Sequence, residues 1–100
     1  MLMAAVDRVD IGTLITSSPE VRSGKSRIAG TGVTVDRIVG WYKLGLSPEE
    51  IADRIGHLSL AQVHAALAYY HANRAEIERA MAIELASDDE LERDYRHAHQ

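Results

Sequence analysis

The sequence predicts a mainly α fold, a single domain with a helix-turn-helix at its middle, a short β element before it and a long third helix after it. Three observations carry this. Ser47-Pro48-Glu49-Glu50 and Ser59-Leu60-Ala61-Gln62 are two helix-start signals placed close together. The stretch before them is β-branched and glycine-rich, and the stretch after them keeps helical spacing with no evident stop.

Residues 1–10 show no clear period and form an N-terminal segment. Ile11 to Ser17 is β-branched enough for a short strand, Ser18-Pro19 turns the chain, and three glycines lie between Ser23 and Gly32. Val33-Thr34-Val35 reads as another short extended piece. From Asp36 to Leu44, Ile38, Val39, Trp41, Tyr42 and Leu44 recur at helical spacing, and Gly45 stands where a left-handed cap ends a helix. That is the first helix.

The second runs from Pro48 to about Ile55. Ser47 caps it, Pro48 suits the first helical position because its missing N–H is not needed there, and Glu50 reaches back to complete the capping box. Leu46 and Ile51 sit where a hydrophobic staple places its pair. Beyond the Gly56-His57-Leu58 break the same device recurs, with Ser59 as cap, Gln62 as box partner and Leu58 with Val63 as staple. The third helix starts at Leu60 and is expected to continue to Ser87 along a stripe of Leu60, Val63, Leu67, Tyr70, Ile77 and Met81. At about 1.5 Å per residue it would span about 40 Å. A domain of this size cannot cover so long a helix, so its second half is expected to lie against another chain, and a homodimer follows. Asp88 is placed to cap a last short helix, Asp89 to about His97. The organisation is therefore 1–10, a strand and helix-turn-helix domain over 11–74, and a helical acidic extension over 75–100.

Hydrophobic residues make up 46% and charged residues 26%, ordinary globular proportions. There is no cysteine, so neither a disulfide framework nor a thiolate metal site is available. The first residues lack a basic leader, and no apolar run approaches the roughly 18 residues of a membrane helix. The cytoplasm is the expected compartment, with no membrane partner.

The net charge of −4 is unevenly distributed. From Arg22 to Lys43, Arg22, Lys25, Arg27, Arg37 and Lys43 stand against the single acid Asp36, a local charge of +4. From Ala75 to Gln100, eight acids stand against three arginines, a local charge of −5. A basic front and an acidic tail suit different partners.

For DNA, the helix-turn-helix turns Ser59, Gln62, Ala65 and Tyr69 outward if Leu60, Val63 and Leu67 are buried. Gln62 can pair with adenine and Ala65 can meet a thymine methyl. With no Arg or Lys in that set, affinity must come from phosphate contacts by Arg22, Lys25, Arg27, Arg37 and Lys43. The plainer reading is a helical hairpin packed only for stability. The turn from Gly56 to Val63 is one residue longer than the usual prokaryotic pattern.

Gly24-Lys25-Ser26 mimics the end of a phosphate-binding loop, but Pro19 stands where the first glycine belongs. His64 and His71 share a helix face two turns apart, too far for one metal ion. No nucleophile or acid-base arrangement is recognisable, so neither an enzyme nor a cofactor or metal site is expected.

Taken as a series, Pro19-Glu20-Val21-Arg22-Ser23-Gly24-Lys25, Ile28-Ala29-Gly30-Thr31, Val33-Thr34-Val35, Gly45-Leu46-Ser47-Pro48-Glu49-Glu50-Ile51 and Val63-His64-Ala65-Ala66-Leu67-Ala68-Tyr69-Tyr70 resemble the domain-of-unknown-function family 433, predicted antitoxins of toxin-antitoxin pairs. The resemblance covers about residues 14–80. It implies a homeodomain-like three-helix fold preceded by short strands, and a neighbouring toxin with a PIN-like, metal-dependent ribonuclease domain. The sequence departs from the family's pattern at Ser26, where proline is usual after Gly-Lys, and at Gly32, where arginine is usual after Gly-Thr.

The expected function is thus an antitoxin that binds operator DNA through its helix-turn-helix. The acidic extension masks the toxin, with Ile77, Met81 and Leu85 as the apolar stripe laid on it. The alternatives are a stand-alone helix-turn-helix transcriptional regulator and an assembly subunit that binds no DNA.

Overall fold

The computed structural model describes residues 8–85. Chain order is a 3-10 turn (Ile11–Leu14), β1 (Ile15–Thr16), β2 (Arg27–Ile28), α1 (Val35–Lys43), α2 (Pro48–Ile55), α3 (Leu60–Ala72) and a fourth helix, α4, over 74–85. The cap at Asp88, the helix Asp89–His97 and the expected end at Ser87 lie outside the described residues.

The strand expected over Ile11–Ser17 shrinks to its last part. Asp10 accepts a hydrogen bond from the Gly12 N–H at 2.9 Å, and its carbonyl accepts from the Thr13 hydroxyl at 2.6 Å. Local side-chain capture of this kind outcompetes an extended backbone, so Ile11–Leu14 coils and only Ile15 and Thr16 pair. They run antiparallel to β2, with Ile15 opposite Ile28 and Thr16 opposite Arg27. On the other side of β2, Arg27 bridges Thr34, and Ile28 donates to the Val33 carbonyl at 2.9 Å. The extended piece expected over Val33–Val35 is therefore present at Val33 and Thr34. Val35 instead opens α1, because the Thr34 hydroxyl caps it by accepting from the Arg37 N–H at 3.3 Å.

The paired start signals form as expected. Ser47 and Glu50 exchange bonds of 3.0 and 3.2 Å, Ser59 and Gln62 bonds of 2.7 and 3.1 Å, and both capping boxes close. Gly56 ends α2 at φ +82°, a conformation that a Cβ would strain. The core joins β2 to three helices, with Ile28, Val35, Ile38, Val39, Ile51, Val63 and Tyr70 fully buried. Leu60 does not join them. At 41% exposure it lies at the free start of α3, and the inner stripe of that helix is Val63, Ala66, Leu67 and Tyr70.

The long third helix is interrupted. α3 stops at Ala72, and Asn73 takes φ −126° and ψ 34°. Its backbone N–H reaches the Tyr69 and Tyr70 carbonyls, and its side-chain amide donates to the Tyr69 carbonyl at 3.0 Å. Asparagine competes with the helix for its own carbonyls, and this is the stop signal that apolar spacing alone hides. The Asn73 carbonyl then accepts from the Ile77 N–H at 3.1 Å, in the first turn of α4.

α4 folds back on its own chain. Glu78 meets Lys43 at the end of α1 and Glu84 meets Lys25, which also holds Asp36 at the start of α1, so the two helices run side by side in opposite senses. Ile77 and Met81 pack against the core of the same chain. The expectation that this stretch must lie against another chain rested on an unbroken helix and loses its basis. No helix among the described residues is long and apolar enough to cross a membrane.

Candidate functional site

The five basic residues of the front are distributed over the loop before β2, β2 itself and α1, and most are engaged. The Arg27 guanidinium donates to the Thr31 carbonyl and the Ser18 hydroxyl, both at 3.1 Å, and so fastens the loops on either side of β2. Lys25 pairs with Asp36 at 3.2 Å and with Glu84. Lys43 pairs with Glu78 at 2.6 Å. Arg22 donates from Nε to the Gly32 carbonyl at 3.1 Å. Arg37 is exposed on α1, and among the described residues no ion pair engages it.

The loop that carries Arg22 is strained. Arg22 and Ser23 adopt φ of 51° and 56°, and Gly24 follows at 81°. Left-handed backbone at a residue with a Cβ costs about 1–3 kcal/mol and persists only where its surroundings enforce it. Here the Gly24 N–H donates to the Val21 carbonyl and the Lys25 N–H to the Arg22 carbonyl, both at 3.1 Å, closing the turn, while the Gly32 carbonyl holds the Arg22 side chain. A Cβ on residue 32 would stand 3.1 Å from Arg22 Nη2, so glycine leaves room for the guanidinium to lie against the backbone.

Two open clefts flank these side chains. One, of about 540 Å³, is lined by Arg22, Ser23, Lys25, Gly32, Thr34, Arg37 and Glu84. The other, of about 580 Å³, lies between α1 and α4, with Arg37 and Lys43 on one wall and Met81, Ala82 and Leu85 on the other.

On the side formed by α2 and α3 the outward set is smaller than the spacing implies. Ala65 is buried at 5% exposure, because it lies against the fold and not on the free face of α3, so it is not available to a thymine methyl. Gln62 is half-buried and its side-chain oxygen is held by the Ser59 N–H. Tyr69 is half-buried, and its hydroxyl accepts from the Ser26 hydroxyl at 2.8 Å. Ser59 is exposed, together with Leu60, Ala61, His64 and Ala68. In the apolar stripe, Ile77 and Met81 are half-buried against the core, while Leu85 is 64% exposed and Ile83, outside the expected set, is 61% exposed.

Sequence spacing missed the residues that tie α4 down. Tyr70, 2% exposed, donates its hydroxyl proton to Glu78, which Lys43 holds from the other side. The bonds from Lys43 and Tyr70 hold the Glu78 carboxyl below its usual 4.5, and the bond to Glu78 pushes the Tyr70 phenol above its usual 10.0. A lowered carboxyl stabilises the fold above about pH 4.5, and that contribution disappears as pH falls through the lowered value. A raised phenol stabilises it below about pH 10, and that contribution disappears as pH rises through the raised value. Docking of α4 is therefore expected to hold between these limits and loosen on either side, as followed by near-UV circular dichroism. Tyr70→Phe should remove the alkaline limb and leave an acid one. An alkaline limb unchanged in Y70F would place that titration elsewhere.

The fold and its surface define a small, mainly helical domain with a two-stranded sheet and open clefts of mixed charge. Over residues 15–70 the chain matches the family described as Protein of unknown function (DUF433), and it belongs to that family. It is similar to the crystal structure of a DUF433 member protein from Anabaena variabilis ATCC 29413. The two are 28% identical with a TM-score of 0.65, over 70% of this chain and 69% of that one. No curated protein matches the chain.

Proposed function

We propose that the chain is a cytoplasmic antitoxin of a type II toxin-antitoxin pair, not an enzyme, and that it neutralises a PIN-like ribonuclease toxin by direct binding. The observation that carries this is the chemistry of α4. It is an amphipathic helix whose exposed Glu76 makes no ion pair among the described residues, and whose Ile83 and Leu85 remain exposed at 61% and 64%. A helix with acids beside exposed apolar anchors suits the basic RNA-binding cleft of a nuclease, where the charges speed encounter and the apolar side chains hold. Leu85 stays in the toxin-facing set and Ile83 joins it. Ile77 and Met81 support the helix from below.

Operator binding belongs to the same proposal in a narrower form. α2, the Gly56 turn and α3 would act as a homeodomain-like helix-turn-helix, and a two-fold homodimer would present two such units to a palindrome. With Ala65 buried and Gln62 tied into its cap, base reading rests on little, and phosphate contacts must supply most of the affinity.

The test is coexpression with a small adjacent reading frame that carries spaced acidic residues. The two products are expected to copurify, and the chain to restore growth to cells making the neighbour alone. Failure to copurify with a neighbour that is itself toxic would end the antitoxin reading.

A further inference from the structure

Arg22, Lys25 and Arg37 come from the loop before β2, the approach to β2 and the first turn of α1, yet all three line the same cleft of about 540 Å³, as does Thr34. Among the described residues, the one carboxylate on that lining is Glu84 of α4, which contacts Lys25 Nζ. We infer that this cleft is a binding site for a phosphate group, as a monoester or a diester, and that Glu84 occupies it as an internal competitor.

The guanidinium of Arg22 is set in place beforehand. Its Nε is held by the Gly32 carbonyl at 3.1 Å, and its Nη2 lies over a residue whose missing Cβ makes the room. Holding one nitrogen leaves other N–H groups of the fork to donate, and a fixed planar donor suits the oxygens of a phosphate. Arg37 lies in the first turn of α1, exposed and with no ion pair among the described residues, so it is available to an incoming anion. Lys25 supplies the third charge. It is shared between Asp36, whose side chain is 18% exposed and belongs to the fold, and Glu84, whose side chain is 46% exposed and sits on a separate helix. Of the two, Glu84 is the one a ligand can displace. Three cations against one displaceable carboxylate attract a phosphate, and the open shape of the cleft admits a polymer backbone as readily as a small molecule. The site is independent of the toxin reading, since anion probes test it without any toxin present.

The full chain, Glu84→Gln, Arg37→Ala and Arg22→Ala would be titrated with a short DNA duplex of arbitrary sequence by fluorescence anisotropy, and with inorganic phosphate by calorimetry. E84Q is expected to bind several-fold more tightly than the unaltered chain, and R37A and R22A several-fold more weakly. On the duplex, each arginine variant should also reduce the salt slope by about 1. Duplex binding in this order identifies a nucleic-acid backbone as the source of the phosphate. Binding of inorganic phosphate alone in the same order identifies a small phosphorylated ligand. Because Arg37 and Glu84 hold no core contact, R37A and E84Q keep the test sound if R22A fails to fold. Affinities that do not change across the variants, weaker binding by E84Q, or no binding of either probe would overturn the site.

Discussion

Deleting residues 76–100 is expected to abolish protection against the cognate toxin while leaving α1, α2 and α3 folded. Asn73 already ends α3 by its own hydrogen bonds to Tyr69 and Tyr70, so the cut falls two residues into α4 and leaves α3 complete. The truncated chain loses the half-buried packing of Ile77 and Met81, roughly 1 kcal/mol each, which a core of β2 and three helices should withstand. It also loses Glu78 and Glu84, and with them the partners of Lys43 and of one side of Lys25. Toxin protection should therefore vanish in a growth assay, while circular dichroism retains the helical signal of the front. Protection that survives the deletion would put the toxin surface on the front domain and refute the division of labour between it and α4.

Replacing Ile51 with alanine should cost about 2–5 kcal/mol of stability. Ile51 is the fully buried side chain of α2, and it joins the central cluster with Ile38, Val39 and Val63. Removing three carbons there forfeits their transfer from water and leaves a space that packed helices cannot close. For a chain of this length that loss is a large part of the usual total of about 5–15 kcal/mol, so the urea midpoint should fall steeply and α2 should loosen first. Leu60→Ala is the control. At 41% exposure Leu60 should change stability by no more than about 0.5 kcal/mol. Equal effects at the two positions would mean that α2 is not seated as described.

The bounds of α2 and the start of α3 were legible in the sequence because capping is settled within four residues of chain. Ser47 with Pro48 and Glu50, Gly56, and Ser59 with Gln62 needed no tertiary information. Apolar spacing and the Gly45 stop place the first helix to within a residue, its start moving to Val35 because Thr34 can cap. Asn73 was present in the sequence too, but an apolar stripe that keeps helical spacing across it masks a polar break. What only the tertiary structure decided is the direction α4 takes after that break, and with it the fate of the charges. Lys25 and Glu84 are 59 residues apart, Lys43 and Glu78 are 35 apart, and no local pattern links them. Read along the chain, a basic front and an acidic extension look like two surfaces for two partners. Among the described residues, Glu78 and Glu84 of that extension instead meet Lys43 and Lys25 of the front, because opposite charges on packed helices find the nearest counter-charge wherever it lies in sequence. Ala65 and Gln62 show the same limit on a smaller scale. Spacing can say that a residue is on a helix, but which face meets water depends on what packs against it.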